Sequence, residues 1–200
     1  DFDHLKYDLS NFAYYLRPAG NTCIIGVGGG KDVQAAILFN QKKITGIDVN
    51  PVFIKLLTSK FKDFAGIAGR KEVVLVNDEA RSFLSASKEK FSLIQMSLID
   101  TWAATGAGAF SLSENSLYTI EGWQIFLNRL DSNGLFTVSR WYNPENLGET
   151  GRLVSLAAAS LHEFGIQDVD KHIALLTINN LATIIVCKNP FTSADIETIN

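Results

Sequence analysis

The chain has 200 residues, of which 46% are hydrophobic and 20% charged, with a formal net charge of −3 and a pI near 5.6. This length fits one globular domain with a full-sized core, which we expect to comprise residues 1–200. The slightly acidic balance and the scattered basic residues exclude a nucleic-acid partner held by a basic surface.

Cysteine and histidine are too sparse to predict a disulfide framework or a metal site. Cys23 and Cys187 each lie in an apolar run and are interpreted as buried strand residues. No stretch reaches the roughly 18 uninterrupted apolar residues that span a bilayer, and no signal peptide is visible. The sequence begins at Asp1 without a methionine, so we expect a piece of a longer or processed protein. A cytoplasmic location is expected, with the soluble domain of a membrane protein as the alternative.

Apolar periodicity divides the chain into alternating helices and strands. A helix is predicted at 5–17, before Pro18 and Gly20. Strands are predicted at 23–25, 43–49, 73–76, 91–97 and 135–140, and helices at 32–39, 51–64, 79–85, 114–130 and 148–164. Residues 98–113 are weakly periodic and are interpreted as a functional loop. The end of the chain predicts a hairpin, 173–178 and 183–188, because Asn179-Asn180 suits a tight turn.

This order predicts an α/β fold with a doubly wound, mostly parallel, seven-stranded Rossmann-like sheet and a C-terminal antiparallel hairpin. Right-handed crossovers bring the carboxyl ends of the parallel strands to one edge. A ligand crevice is expected at that edge, where the strand order reverses at the first strand.

The first strand leads into a glycine turn, Gly26 to Gly30, and a helix follows it at once. Glycines let the backbone approach a ligand closely, and the first helical turn points unpaired N–H groups at it. Lys31 and Asp32 at the helix start either contact the polar end of a cofactor, or Asp32 is simply a charge favoured by the helix dipole.

Two acids follow the next two strands and are expected to converge with the turn. Asp48 lies about twenty residues after the glycines, where a carboxylate either accepts hydrogen bonds from ribose hydroxyls or is simply a solvated acid at a strand end; the spacing favours the ribose role. Asp78 either accepts from an exocyclic amine such as adenine N6 or serves only as a helix N-cap. A dinucleotide site is the rival interpretation, but the third glycine of its fingerprint is replaced by Lys31.

Four segments carry a family resemblance: IIGVGGGKDV, TGIDVNP, VNDEARSFL and FSLIQMSLIDTW. Together they resemble the class I S-adenosylmethionine-dependent methyltransferase fold and, more narrowly, the spermidine synthase family of polyamine aminopropyltransferases. The resemblance implies S-adenosylmethionine or its decarboxylated form as cofactor. It implies a cofactor site made of Gly26, Gly28, Gly30, Asp48, Asp78 and Ser97, with Asp48 on the ribose and Asp78 on the adenine.

The same resemblance suggests catalytic residues. Ser97 stands where the family carries the aspartate that deprotonates the attacking amine, and Asp100 matches the second aspartate of that pair. Tyr118, in the segment SENSLYT, takes the place of a family tyrosine. The resemblance therefore indicates Asp100 as the base, assisted by Gln95 or Tyr118. Asp100, Glu114 and Glu121 are the candidates for holding the cationic ends of a polyamine.

Because serine is not a base at neutral pH, methyl transfer to a small acceptor, for example an amine, is preferred to aminopropyl transfer. The alternatives are aminopropyl transfer to a polyamine, a non-catalytic nucleoside sensor within a larger membrane protein, and an NAD-dependent oxidoreductase. A homodimer is an open expectation. Trp102 and the segment 140–142 either line the acceptor pocket or pack elsewhere, and Met96 is interpreted as core.

Overall fold

A computed structural model describes residues 2–99 and 116–200. Within these residues, one sheet contains β1 (Asn21–Ile25), β2 (Lys43–Asp48), β3 (Val73–Asn77), β4 (Phe91–Ser97), β5 (Leu130–Trp141), β6 (Ile173–Ile178) and β7 (Leu181–Cys187). The strand order is β3-β2-β1-β4-β5-β7-β6. The first five strands are parallel, and β7 is antiparallel to both β5 and β6. The predicted fold class is confirmed.

The helices of the described residues flank this sheet. They are α1 (Ala13–Leu16), α2 (Lys31–Leu38), α3 (Pro51–Thr58), α4 (Lys62–Ala65), α5 (Ala80–Ala86), α6 (Ile120–Asn128), α7 (Gly148–His162) and α8 (Ser193–Ile199). Short 3-10 helices cover Asp3–Tyr7, Leu9–Asn11 and Val169–Lys171.

The helix predicted at 5–17 is broken into two 3-10 turns and α1. Asp8 has an extended backbone (φ −83°, ψ 124°), and its carboxylate accepts a hydrogen bond from the Ser10 N–H at 2.9 Å. Such a local side-chain bond competes with continuous helix, so the chain restarts at this point. Asp8 is therefore a cap within the segment that the apolar spacing assigned to a single helix.

Two other parts of the chain also differ from the helices that the sequence predicts. The helix predicted at 51–64 is divided at Ser59, where the Ser59 hydroxyl bonds back to the Lys55 carbonyl at 2.5 Å. The C-terminal helix α8 was not predicted. A reciprocal capping box between Thr192 and Asp195 begins it, and the spacing of these two residues is a recognisable start signal.

Apolar side chains pack on both faces of the sheet. One cluster joins β4 and β5 to α5–α7 and includes Trp123 and Phe136, whose rings meet edge-on at 4.9 Å. The other packs α1–α4 and contains Ile24, whereas its neighbours Cys23 and Ile25 belong to the first cluster. This alternation is what a strand covered on both faces requires.

Several predictions about single residues are confirmed by burial. Cys23 and Cys187 are free and buried, and Met96 is fully buried. No helix in the described ranges is long and apolar enough to cross a membrane. Across residues 2–99 and 116–200, no group of three His, Cys, Asp or Glu residues could hold a metal ion.

Candidate functional site

The glycine turn divides into covered and open positions. A Cβ on Gly26 would lie 2.9 Å from the Ile99 side chain, and one on Gly30 would lie 2.7 Å from the Ile67 side chain. A Cβ on Gly28 or Gly29 would meet nothing within 4 Å. Gly26 and Gly30 therefore admit close packing of the protein itself, at φ values of 84° and 90°. The backbone at Gly28 and Gly29 is the part that a ligand can approach.

Asp48 is held against this turn by backbone donors. Its Oδ2 accepts a hydrogen bond from the Gly28 N–H at 2.8 Å, and its Oδ1 accepts one from the Asn50 N–H at 2.8 Å. The residue is 7% exposed. A carboxylate has about four lone-pair sites, so each oxygen keeps acceptor capacity after these two bonds. Asp48 thus points toward the turn and holds a fixed negative charge beside it.

Asp78 lies one strand further along the same edge. Its N–H donates to the Asp48 carbonyl at 3.2 Å, which ties the end of β3 to that of β2. Asp78 is not the N-cap of α5, although its Oδ1 accepts a hydrogen bond from the Glu79 N–H at 2.8 Å. Glu79 is the N-cap of α5, because its carboxylate accepts from the N–H groups of Arg81 and Ser82. Asp78 is exposed, so its carboxylate is accessible to solutes.

Asp32 is the least expected group of the site. It lies in the first turn of α2 but is only 7% exposed. Burial raises the pKa of Asp32 to about 6. No ion pair reaches it from any described residue, because its neighbour Lys31 pairs with Asp8. It is therefore a desolvated carboxyl group and not an exposed helix-end charge.

A chain of hydrogen bonds runs from Ser97 into the core. Gln95 Nε2 donates to Ser97 Oγ at 3.0 Å, and Tyr14 donates its hydroxyl proton to Gln95 Oε1 at 2.6 Å. Gln95 also donates to the Ser10 carbonyl and to Asn11 Oδ1. The amide of Gln95 is fully buried and engaged within the protein, so it orients Ser97 and does not reach a ligand.

Arg140, at the end of β5, bonds to several segments at the other side of the edge. Its guanidinium bonds Glu149 Oε1 at 2.6 and 2.7 Å, and its Nη1 donates to the Ile99 carbonyl at 3.2 Å. Nη1 also lies 3.3 Å from the Tyr118 hydroxyl, with the guanidinium carbon 5.3 Å from the ring centre. Tyr118 is thereby brought to the same edge as Ser97, beside a cation.

A polar cavity of about 410 Å³ lies beyond Arg140. It is lined by Trp141, Tyr142, Asn143, Asn146, Glu149, Thr150 and Asn180. Because β7 runs antiparallel to β5, the hairpin turn at Asn180 falls at the carboxyl edge of the parallel strands. Of the segment 140–142, Trp141 and Tyr142 therefore line a cavity, whereas Arg140 ties the surrounding elements together.

Several predicted site residues lie outside the described residues: Asp100, Trp102 and Glu114, with most of the 98–113 loop. Glu121 is exposed in the first turn of α6. Sequence reasoning missed the burial of Asp32 and the bonds that Arg140 makes. Arg140 at the end of an apolar strand was the available signal for its role. Nothing local predicted the burial of Asp32, which depends on tertiary packing around α2.

The sequence matches no protein-family model and no curated protein. Solved structures nevertheless superpose over nearly the whole chain. A spermidine synthase in complex with the transition state analogue AdoDATO covers 100% of the chain at 15% identity, with a TM-score of 0.66. Human methyltransferase-like protein 13 in complex with SAH covers 98% at 11% identity, with a TM-score of 0.67. The chain has the class I methyltransferase fold.

The spermidine synthase from Thermotoga maritima covers 98% of the chain at 16% identity, with a TM-score of 0.65. The chain spans only 63% and 62% of the two spermidine synthases, but 88% of the human methyltransferase-like protein. At these identities the likeness establishes the class I methyltransferase fold.

Proposed function

We propose that this protein binds S-adenosylmethionine, or its decarboxylated form, at the carboxyl edge of β1, β2 and β3. From that site it would transfer a methyl group to a small acceptor such as an amine. The fold places ligand sites at this edge, where the strand order reverses. Proteins of the same fold are described in complex with SAH and with AdoDATO.

One observation carries the proposal: bare backbone at Gly28 and Gly29 lies beside the fixed carboxylate of Asp48. Ribose hydroxyls are donors, and the acceptor capacity left on Asp48 suits them. The exposed carboxylate of Asp78, on the next strand, is placed to accept from an adenine amine. The residues present therefore fit an adenine nucleoside whose sugar lies over the end of β2.

A bound sulfonium cofactor would supply the electrophilic carbon. The protein has to align an acceptor with it and exclude competing water. We assign the acceptor to the side of the edge where Arg140 and Tyr118 lie, next to the cavity lined by Trp141. A polar acceptor of a few heavy atoms, held between Ser97 and this cavity, fits these surroundings.

Aminopropyl transfer is the second candidate, because two spermidine synthases cover 98% or more of the chain. Product analysis distinguishes the two reactions. Incubation with each cofactor form and a panel of amines, putrescine included, should yield a methylated amine if the first candidate is right. An aminopropylated amine would favour the second, and binding without turnover would favour a nucleoside sensor.

Isothermal titration calorimetry with S-adenosylhomocysteine tests the site before any acceptor is known. We expect binding to the wild-type chain and little affinity for NAD. Asp48→Asn should weaken binding by about tenfold or more, because hydrogen bonds to a charged acceptor are lost. Gly29→Ala should also weaken it by adding a methyl group to the open backbone. Gly151→Ala is the matched control, since Gly151 is equally open but lies in α7.

Absence of S-adenosylhomocysteine binding by the folded wild-type chain would refute the proposed function. Tight NAD binding in its place would restore the dinucleotide alternative. If Gly29→Ala and Gly151→Ala bound equally well, the cofactor would lie elsewhere on the molecule.

A further inference from the structure

We propose that residues 58–64, which run from the end of α3 into α4, dock on a membrane surface rich in anionic lipid. We call these residues the docking turn. The interaction is separate from the proposed cofactor site and goes beyond the proposed function. It rests on the exposure, the anchoring and the charge of this one segment.

The docking turn presents an apolar patch to solvent. All seven of its residues are exposed. The Phe64 side chain is 86% exposed and that of Phe61 is 41% exposed, and their ring centres lie 6.4 Å apart. Leaving two such rings in water forgoes the free energy that burying them would yield. The two rings therefore form one patch that the described part of the chain leaves uncovered.

The patch cannot fold inward, because the core positions around it are already filled. Leu57 precedes the docking turn, Ala65 and Ile67 follow it, and all three are buried in the cluster that packs α1–α4. Gln34 Nε2 of α2 also donates to the Ala65 carbonyl at 2.8 Å. The docking turn is thus fastened at both ends, with its Phe rings on the outside.

Positive charge surrounds the rings. Lys60 and Lys62 flank Phe61, and the Lys60 ammonium lies 5.5 Å from the centre of that ring. Neither lysine forms an ion pair with a described residue. Residues 49–71 hold five basic side chains and one acidic side chain, Asp63, whereas the whole chain has a formal net charge of −3. The docking turn is therefore a local cationic region of an acidic protein.

An anionic membrane surface accommodates both features at once. Phe side chains favour the boundary between headgroups and acyl chains, and Lys side chains reach the headgroups from long apolar stems. Each Lys near the surface adds an attraction to anionic lipid. The acidic remainder of the chain is repelled by the same surface, which orients the protein with the docking turn toward it. That remainder also repels a nucleic acid long enough to extend past the turn.

Co-sedimentation of the wild-type chain with large vesicles tests the proposal. We expect binding to vesicles of equal parts phosphatidylcholine and phosphatidylserine to be about tenfold or more stronger than binding to phosphatidylcholine alone. Raising the NaCl concentration from about 0.1 M to about 0.5 M should weaken it several-fold, because salt screens exposed charges. This measurement needs no variant.

Two double variants separate the apolar and electrostatic contributions. Phe61→Ser with Phe64→Ser should weaken binding to the phosphatidylserine vesicles by about tenfold or more. Lys60→Gln with Lys62→Gln should weaken it by about fivefold per lysine and remove most of the salt dependence. Both variants change exposed side chains, so their circular dichroism should match that of the wild type.

Matched controls change the same residue types at other exposed sites. Phe2→Ser, and Lys42→Gln with Lys88→Gln, should leave vesicle binding within about twofold of wild type. Phe64→Trp reports insertion directly: its fluorescence should be quenched by vesicles that contain brominated phosphatidylcholine, whereas that of Phe2→Trp should not.

Equal binding of the wild-type chain to both kinds of vesicle, or no binding to either, would overturn the proposal. So would a phosphatidylserine preference that both double variants retain. A single-stranded oligonucleotide that binds in place of the vesicles would assign the docking turn to nucleic acid. A dimer in sedimentation velocity that Phe61→Ser with Phe64→Ser dissociates, without vesicle binding, would assign it to self-association. S-adenosylhomocysteine binding tests the cofactor site separately from all of these outcomes.

Discussion

The surroundings of Asp32 affect the stability of its charged form more than its position in the helix does. An acid in the first turn of a helix is ordinarily exposed and stabilised by the helix dipole. Here tertiary packing leaves only 7% of the residue exposed. The carboxyl group loses its water without gaining an ion pair from the described residues, so its charged form opposes folding. A residue that weakens the fold in this way at a ligand edge is a candidate for function.

Asp32→Asn should therefore stabilise the protein at neutral pH. The pKa of Asp32 is raised by burial from 3.8 to about 6 in the folded state. The stability linked to this group is fully present below the lower value and is lost as the pH rises through the higher one. We expect the variant to gain about 1–3 kcal/mol of unfolding free energy at about pH 7.5, and little near pH 4.

Urea denaturation at the two pH values measures this gain. Asp63→Asn controls for the change in net charge, because Asp63 is exposed. A gain of the same size at both pH values would contradict a raised pKa for Asp32.

At the scale of single elements, local side-chain bonds decide where helices begin and end. Asp8 interrupts the first predicted helix, Ser59 ends α3, and Thr192 begins α8. Helix α8 is also held by an ion pair with another segment of the chain. Asp195 of α8 pairs with Arg17 at 2.6 Å, and both side chains are largely buried. The C-terminal helix is thus fastened to the segment between α1 and β1.

Asp195→Ala should destabilise the protein by about 2–4 kcal/mol, because it leaves Arg17 unpaired and removes half of the capping box. Thr192→Ala, which removes only the cap, should cost about 1 kcal/mol. Burial works to raise the pKa of Asp195, but the bonds from Arg17 and Thr192 outweigh it and hold that pKa below its usual value. The difference from wild type should therefore shrink as the pH falls below about 4.

Urea denaturation of both variants checks this order of costs. Glu197→Ala is the matched control, since Glu197 is exposed on the same helix. Equal losses from Asp195→Ala and Glu197→Ala would show that the ion pair does not hold α8.

At the scale of the whole molecule, one sheet connects the two apolar clusters. Adjacent residues of β1 belong to opposite clusters, and β4 contributes Leu93 to one and Ile94 to the other. Both clusters share β1 and β4, so exposing either cluster to water uncovers one face of these strands. We therefore expect both faces to unfold together.

Fluorescence of Trp123, with Trp102 and Trp141 replaced by phenylalanine, should follow the same urea transition as far-UV circular dichroism. Leu127→Ala removes a buried side chain beside Trp123, and Leu93→Ala removes one from the opposite cluster. Each should lower the unfolding free energy by about 2–5 kcal/mol by both probes. If Leu93→Ala shifted the dichroism but not the Trp123 signal, the faces would be independent.

The local pattern of the chain was enough to predict the parallel sheet, the terminal hairpin and the glycine turn, because apolar periodicity and turn chemistry are local properties. It also indicated Asp48 beside the turn, since residues that end parallel strands meet at one edge. Packing between distant elements covers Gly26 and Gly30 with Ile99 and Ile67 and leaves Gly28 and Gly29 open, and no local pattern predicts this. The same packing buried Asp32. These contacts form between elements distant in sequence, and their energies depend on burial that no local pattern records.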